Sequence, residues 1–246
     1  MLNKQENKND SEAYYINQKP KLLKEFDKGF KHCKKAIDQH QKNLDAYRIY
    51  REGRNEFIKL IPEIPYIGGK KNSLTWNLVG SVMQLAIIRA LEKERISERE
   101  IGKILYYSLD SYIKSKPKFI LRLMGKLMFT KFMINKRKKQ AEWIMSQNFT
   151  EGWAYEFLPG DGKTFDAGMD MTECGICKFY EKHDAKKYVP YLCLGDYPMC
   201  QAYGVGLTRT QTIGHGAEKC DYRFKKGGKT TDGWPPEKLV EWTTNA

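Results

Sequence analysis

Five of the six cysteines fall between positions 174 and 220: Cys174, Cys177, Cys193, Cys200 and Cys220, with Cys33 far from them. A thiol becomes a nucleophile or a metal ligand where its surroundings favour the thiolate. A single free cysteine is more often a small buried hydrophobe, so the cluster, and not any one member, singles out this stretch. Cys174-Gly-Ile-Cys177 has the spacing of half a zinc knuckle, but no second CxxC follows. Cys193 and Cys200 are seven apart, which predicts one face of one helix, with Asp196 a turn after Cys193. His215, in a Gly-His-Gly loop, is suited to proton transfer near neutral pH. Arg209 and Arg223 are suited to clamping a carboxylate through two parallel hydrogen bonds. Asp221 directly follows Cys220.

The elements that must carry these groups follow from hydrophobic period. Leu22, Leu23, Phe26 and Phe30 recur at helical spacing, and a helical pattern resumes from Asp45 to about Leu60. The segment IPEIPYIGGKKN ends it. Ser73 to Lys93 is apolar on most sides and predicts a buried helix. Ser97 and Glu100 form a capping-box signal for the next helix, which runs to about Lys114. Residues 118–140 read as one helix, basic and rich in Met, Leu and Phe, with no acid. After Asn148 the period changes to two. Trp153, Tyr155 and Phe157 alternate, Pro159 to Gly162 turn, and Thr164 to Met171 return as a second strand. Thr172–His183 and Val189–Tyr203 read as helices, and Leu207–Ile213 and Cys220–Lys225 as strands.

The order β-β-α-α-β-β predicts an α+β fold, with a helical N-terminal half packed on a C-terminal antiparallel sheet with flanking helices. The expected divisions are a helical region at 1–147, a cysteine-rich region at 148–228 and a loose tail at 229–246.

Composition limits the partners. The net charge is +13, and it is uneven: 31 Lys and Arg face 16 Asp and Glu up to Thr150, whereas 12 face 14 from Glu151 on. Neither zinc-finger spacing nor an RNP-type aromatic strand accompanies the basic half, so no nucleic-acid partner is expected. The first fifteen residues, MLNKQENKNDSEAYY, hold no apolar h-region, and no stretch of eighteen apolar residues occurs. Export and membrane spanning are therefore not expected, the thiols are expected to be reduced, and the expected location is the cytoplasm. Membrane association is not expected either, although a basic amphipathic stretch such as 118–140 can lie on a membrane surface or bind a partner helix.

The blocks TECGICKFYEKH, YLCLGD and LTRTQTIGHGAEKCDYRF resemble the L-2-amino-thiazoline-4-carboxylic acid hydrolase family. The similarity rests on a Thr-x-Cys step, a Cys-x-x-Asp, and an Arg-Thr-x-Thr run leading through Gly-Ala to Cys-Asp-Tyr-Arg. It implies a hydrolase that opens a small cyclic amidine or isothiourea, such as L-2-amino-thiazoline-4-carboxylate, to N-carbamoyl-L-cysteine. The residues carried over are Cys174, Cys193, Asp196, Arg209, Thr210, Thr212, Gly216, Cys220, Asp221 and Arg223. Of these, Cys174, Cys193, Asp196, Cys220 and Asp221 are catalytic candidates, with Cys193 or Cys174 as nucleophile or polar contact and Asp196 as base. Arg209, Thr210, Thr212 and Arg223, joined by His215, are candidates for substrate binding, with Arg209 or Arg223 anchoring the carboxylate. Cys177, Cys200 and His215 lie outside the family pattern.

The same region is distantly similar to the 4-vinyl reductase domain. That similarity implies a non-catalytic small-molecule sensor or a zinc-stabilised binding module, with Cys174, Cys193 and Cys220 as the zinc ligands. On the first reading no metal or cofactor is needed and the partner is a small-molecule substrate. The oligomeric state stays open.

Overall fold

A computed structural model describes residues 13–243. The polar stretch 1–12, from which the absence of an export segment is read, lies outside the described residues. The chain divides into two compact units between Ser108 and Leu109. The division falls inside a helix and not at the change of composition near residue 147.

The first unit is helical. Helix α1 covers Lys19–His40, α2 Ala46–Leu60 and α3 Thr75–Glu92, and α4, Glu98–Lys114, begins in this unit. Asp45 starts α2 by accepting from the backbone N–H groups of Tyr47 and Arg48 at 2.9 and 3.1 Å. Phe26 and Phe57 stack at 5.3 Å, joining α1 to α2. Gly68 and Gly69 turn the chain between α2 and α3 at positive φ of 98° and 53°, where a side chain would be strained. The capping box forms as expected. The Ser97 N–H donates to Glu100 Oε2 at 2.9 Å, and the Glu100 N–H donates to Ser97 Oγ at 3.2 Å.

In the second unit, α5 (Lys118–Leu127) and α6 (Lys131–Gln147) precede β1 (Ala154–Pro159) and β2 (Ala167–Glu173). Then come α7 (Gly175–Lys182), α8 (Val189–Cys193), α9 (Asp196–Tyr203), β3 (Val205–Thr208), β4 (Cys220–Lys226) and α10 (Val240–Thr243). The strands form one antiparallel sheet in the order β1-β2-β4-β3, so the fold is α+β. No helix among the described residues is long and apolar enough to cross a membrane.

Three expectations are corrected. Residues 118–140 are two helices, because the Thr130 hydroxyl accepts from the Met133 N–H at 3.4 Å and caps α6. Val189–Tyr203 is also two helices. Here a Cβ on Gly195 would stand 2.4 Å from Leu109 Cδ2, so the break admits a close approach. Cys193 ends α8 and Asp196 opens α9, so no single helical face carries Cys193, Asp196 and Cys200. Finally, the tail is docked where it is described. Thr230 Oγ1 donates to Val205 O at 2.6 Å, and the Leu207 N–H donates to Thr230 Oγ1 at 2.8 Å, so the tail takes up polar groups at the free edge of β3.

Candidate functional site

The sheet's register separates the predicted residues onto two faces. Met171 pairs with Cys220, Met169 with Tyr222 and Gly168 with Arg223. Side chains alternate along a strand, so Cys220 and Tyr222 share one face while Asp221 and Arg223 share the other. The Tyr222 hydroxyl meets Asp196 Oδ2 at 3.3 Å, which puts α9 over the first face. Arg223 lies on the second face, where it donates to Asp170 Oδ1 at 2.7 Å and to the Tyr222 carbonyl at 2.9 Å. Lys219 joins the same Asp170. The two arginines named as carboxylate anchors are therefore on opposite sides of the sheet.

On the first face Arg209 is fully buried. Its Nε donates to Glu241 Oε2 at 3.0 Å and its Nη2 to Glu241 Oε1 at 2.5 Å. Nη1 donates to Asp196 Oδ2 at 2.7 Å, and Nη2 also reaches the Cys193 carbonyl at 3.0 Å. Four of the five guanidinium N–H donors are thus committed within the protein. The rings of Tyr197 and Tyr222 lie at 5.6 and 5.0 Å from the guanidinium carbon. Burial opposes its charge, but Tyr222, Glu241 and Asp196 together hold Arg209 protonated more firmly than usual. Its role here is to seat Asp196 and the end of α8.

Asp196 is the one acid of this group with exposed surface, 29% of its side chain. Burial raises its carboxyl above the ordinary range, and the charge and hydrogen bond of Arg209 oppose that rise. A carboxyl raised in this way can give and take a proton nearer neutrality.

The thiols around Asp196 are not alike. Cys193, Cys220 and Cys174 lie near enough to act on one another's charge, and Cys193 and Cys220 also feel Asp196. Burial pushes Cys193 well above the ordinary thiol value and Cys220 up to about 12. Cys220 Sγ accepts from the Ile213 N–H at 3.3 Å, a bond that fixes the loop between β3 and β4. Cys174 goes the other way. It sits at the N-cap of α7, half-buried, and its sulfur is brought down to about 7. The Cys177 thiol hydrogen-bonding to it is the largest cause; burial opposes, and the N–H groups of Cys177 and Ile176 and the Trp153 indole add support. These donors and the positive end of the helix favour a thiolate. Cys177 itself is raised by giving that hydrogen bond.

The loop after β3 is tied by Asp221. Its Oδ1 accepts from the N–H groups of Thr210 and Gln211 at 2.8 and 3.0 Å, and its Oδ2 from Thr210 Oγ1 at 2.6 Å. Thr212 is buried and faces His215 Nδ1 at 2.9 Å. Gly216 closes the loop at φ 90°. Burial lowers the His215 pKa, its ring packs edge-on to Trp242 at 4.7 Å, and its Nε2 is buried without a hydrogen-bond partner. A Cβ on Gly214 would meet Cys193 Sγ at 3.2 Å, so this loop lies directly on Cys193.

The model of the L-2-amino-thiazoline-4-carboxylic acid hydrolase family matches residues 77–224, more than half of the chain. The chain belongs to that family. No curated protein and no solved structure matches it. The matched span of the hydrolase family contains Cys174, Cys193, Asp196, the loop 209–216 and Cys220 to Arg223, and it ends before Glu241.

The structure thus brings together Cys174, Cys193, Asp196, Arg209 and Cys220 of the expected residues, with His215 beside Arg209 and Glu241. Asp221, Thr210 and Thr212 shape the loop, and Arg223 stands apart. Sequence reasoning missed Glu241, Tyr222, Trp153 and the part played by Cys177. Two of these had a signal: Tyr222 alternates with Asp221 and Arg223 on a strand, and Cys177 completes a CxxC at a helix start. Nothing in the tail's composition marked Glu241. Among the described residues no three His, Cys, Asp or Glu side chains are grouped to hold a metal ion.

Proposed function

We propose that this protein hydrolyses a small cyclic amidine or isothiourea, with L-2-amino-thiazoline-4-carboxylate opened to N-carbamoyl-L-cysteine as the reference reaction, and with Cys174 as the nucleophile. The carrying observation is the half-buried Cys174 at the start of α7, within electrostatic reach of Cys193 and Cys220, while the buried Arg209 ties Asp196 to the Cys193 carbonyl. Family membership supports the class of reaction.

Two side chains, Cys174 and Asp196, carry the steps. The Cys174 thiolate adds to the ring carbon between nitrogen and sulfur. The ring carbon–sulfur bond then breaks, and the departing sulfur takes a proton, supplied by Asp196 in its protonated form. The substrate carbon is left on Cys174 as an open isothiourea. Water adds to that carbon with Asp196, now ionised, accepting its proton, and Cys174 leaves as the thiolate, giving the carbamoyl product. Arg209 positions Asp196 through the 2.7 Å bond and does not anchor the substrate. His215, held through Nδ1 by Thr212 and packed on Trp242, keeps the loop in place over Cys193.

The test is ring opening by purified protein, followed by appearance of the product. Cys174→Ser and Asp196→Asn are each expected to lower turnover by about 10²-fold or more. Undiminished turnover by Cys174→Ser rejects the nucleophile, and no turnover by the wild type on a panel of such rings rejects the function.

A further inference from the structure

The outer side of α5 and the start of α6 carries an apolar surface that the proposed chemistry does not use. Phe119 is 73% exposed, Leu123 54% and Phe132 74%, and Ile120, Met124 and Leu127 are also exposed. Large apolar side chains exposed together in this way mark an interaction surface. At about 100° per residue, Phe119, Ile120, Leu123, Met124 and Leu127 fall within about 140° of the helix circumference. The opposite side holds α5 in place. Leu121 and Gly125 are its buried residues, and a Cβ on Gly125 would stand 2.1 Å from the Tyr203 carbonyl oxygen. So α5 lies tight against the end of α9, and the apolar arc is directed outward.

Charge decides what this face fits. On α5 the cations Lys118, Arg122 and Lys126 are exposed and occupy the sector beside the apolar arc. On α6 Lys131, Lys136, Lys138 and Lys139 are exposed. From Lys118 to Ala141 there is no acid at all. A second copy of the chain would bring the same positive charge against this face, which disfavours self-association there. A surface that is negative and has an apolar layer beneath it matches both features. Lysine and arginine stems extend to the headgroups while Phe and Leu enter the acyl boundary.

We infer that the α5–α6 face docks this protein on an anionic lipid surface, with Phe119, Leu123 and Phe132 entering the bilayer interface and the flanking lysines meeting the headgroups. This inference departs from the expectation that membrane association is absent. Docking here is peripheral, since no described helix can span a bilayer.

The full-length protein is sedimented with vesicles of phosphatidylcholine, with and without phosphatidylserine. Pelleting is expected only with phosphatidylserine, and it should fall steeply as salt rises. Each neutralised lysine should weaken binding about fivefold, and Phe119→Ser or Leu123→Ser about tenfold, with no change in thermal midpoint, because these side chains are exposed. Phe119→Trp gives a reading that needs no loss of binding: its fluorescence should shift to the blue on the vesicles and be quenched by brominated lipid. Absence of pelleting with phosphatidylserine, equal pelleting on both lipids, pelleting indifferent to Phe119→Ser and Leu123→Ser, or an unquenched Trp each overturns the inference. A dimer in light scattering that Leu123→Ser dissociates also overturns it and assigns the face to a second copy.

Discussion

Arg209 and Glu241 form a two-point ion pair in which both side chains are fully buried, linking the residue after β3 to the short helix α10. Tyr197 donates its hydroxyl to the same carboxylate at 2.9 Å. Removing one member leaves the other charged and buried, which costs about 3–5 kcal/mol. Glu241→Ala should therefore lower unfolding free energy by about 3 kcal/mol, the lower end because Asp196 still faces Arg209. Urea unfolding of the full-length protein measures it. A Glu241→Ala protein as stable as wild type would contradict the buried pair.

Cys174 should react before any other thiol of the site. Its alkylation by iodoacetamide is expected to rise with pH through a midpoint near 7, whereas Cys193 and Cys220, raised by burial, stay inert there. Peptide mapping after brief labelling distinguishes them, and first labelling at Cys193 would reverse the order of roles.

The same depressed pKa has a consequence for stability. In the folded protein Cys174 ionises at about 7, against an ordinary value of 9.0. A group with a lowered folded pKa stabilises the fold while it is ionised. That contribution is complete above pH 9, shrinks as pH falls toward 7 and is lost below about 7. Cys174→Ser should remove this rise of stability between pH 7 and 9, as followed by urea midpoints across that range.

Gly125→Ala should destabilise the protein even though alanine favours helix. The gain in helix propensity is about 1 kcal/mol, and overpacking costs about 1–3 kcal/mol. With the Tyr203 carbonyl 2.1 Å from the new Cβ, the neighbour is backbone and cannot swing away. A lowered thermal midpoint is expected, and an unchanged one would show that α5 is not held against α9.

Asp221→Ala should loosen the loop without unfolding the sheet. It removes the acceptor for two backbone N–H groups and one hydroxyl, worth about 1–3 kcal/mol, nearer the lower figure because the site is partly solvated. Amide exchange should accelerate at Thr210 and Gln211 and stay slow at Tyr222. Unchanged protection at Thr210 would remove Asp221 from this role.

Local chemistry was legible wherever neighbouring residues decide it. The Ser97–Glu100 box, the start of α2 at Asp45 and the period-two strands β1 and β4 all form where the sequence places them. Breaks decided by distant contacts were not legible. Nothing near Gly195 shows that Leu109 will press on it, and Thr130 looks like one more helical residue until its hydroxyl is seen to cap α6.

By itself the sequence determined the α+β class and the family, and it named Cys174, Cys193, Asp196, Arg209 and Cys220 among ten candidates without separating them from the rest, because recurring motifs and hydrophobic period are local properties of the chain. Tertiary structure alone decided what each residue is free to do. Strand register sent Arg223 to the far face, and Glu241, from a tail that reads as loose, took up the charge of Arg209. The electrostatic difference between Cys174 and Cys193 also arises only in the fold, since Cys174 stands at a helix start with Cys177 and Trp153 as favourable neighbours, whereas desolvation dominates at Cys193.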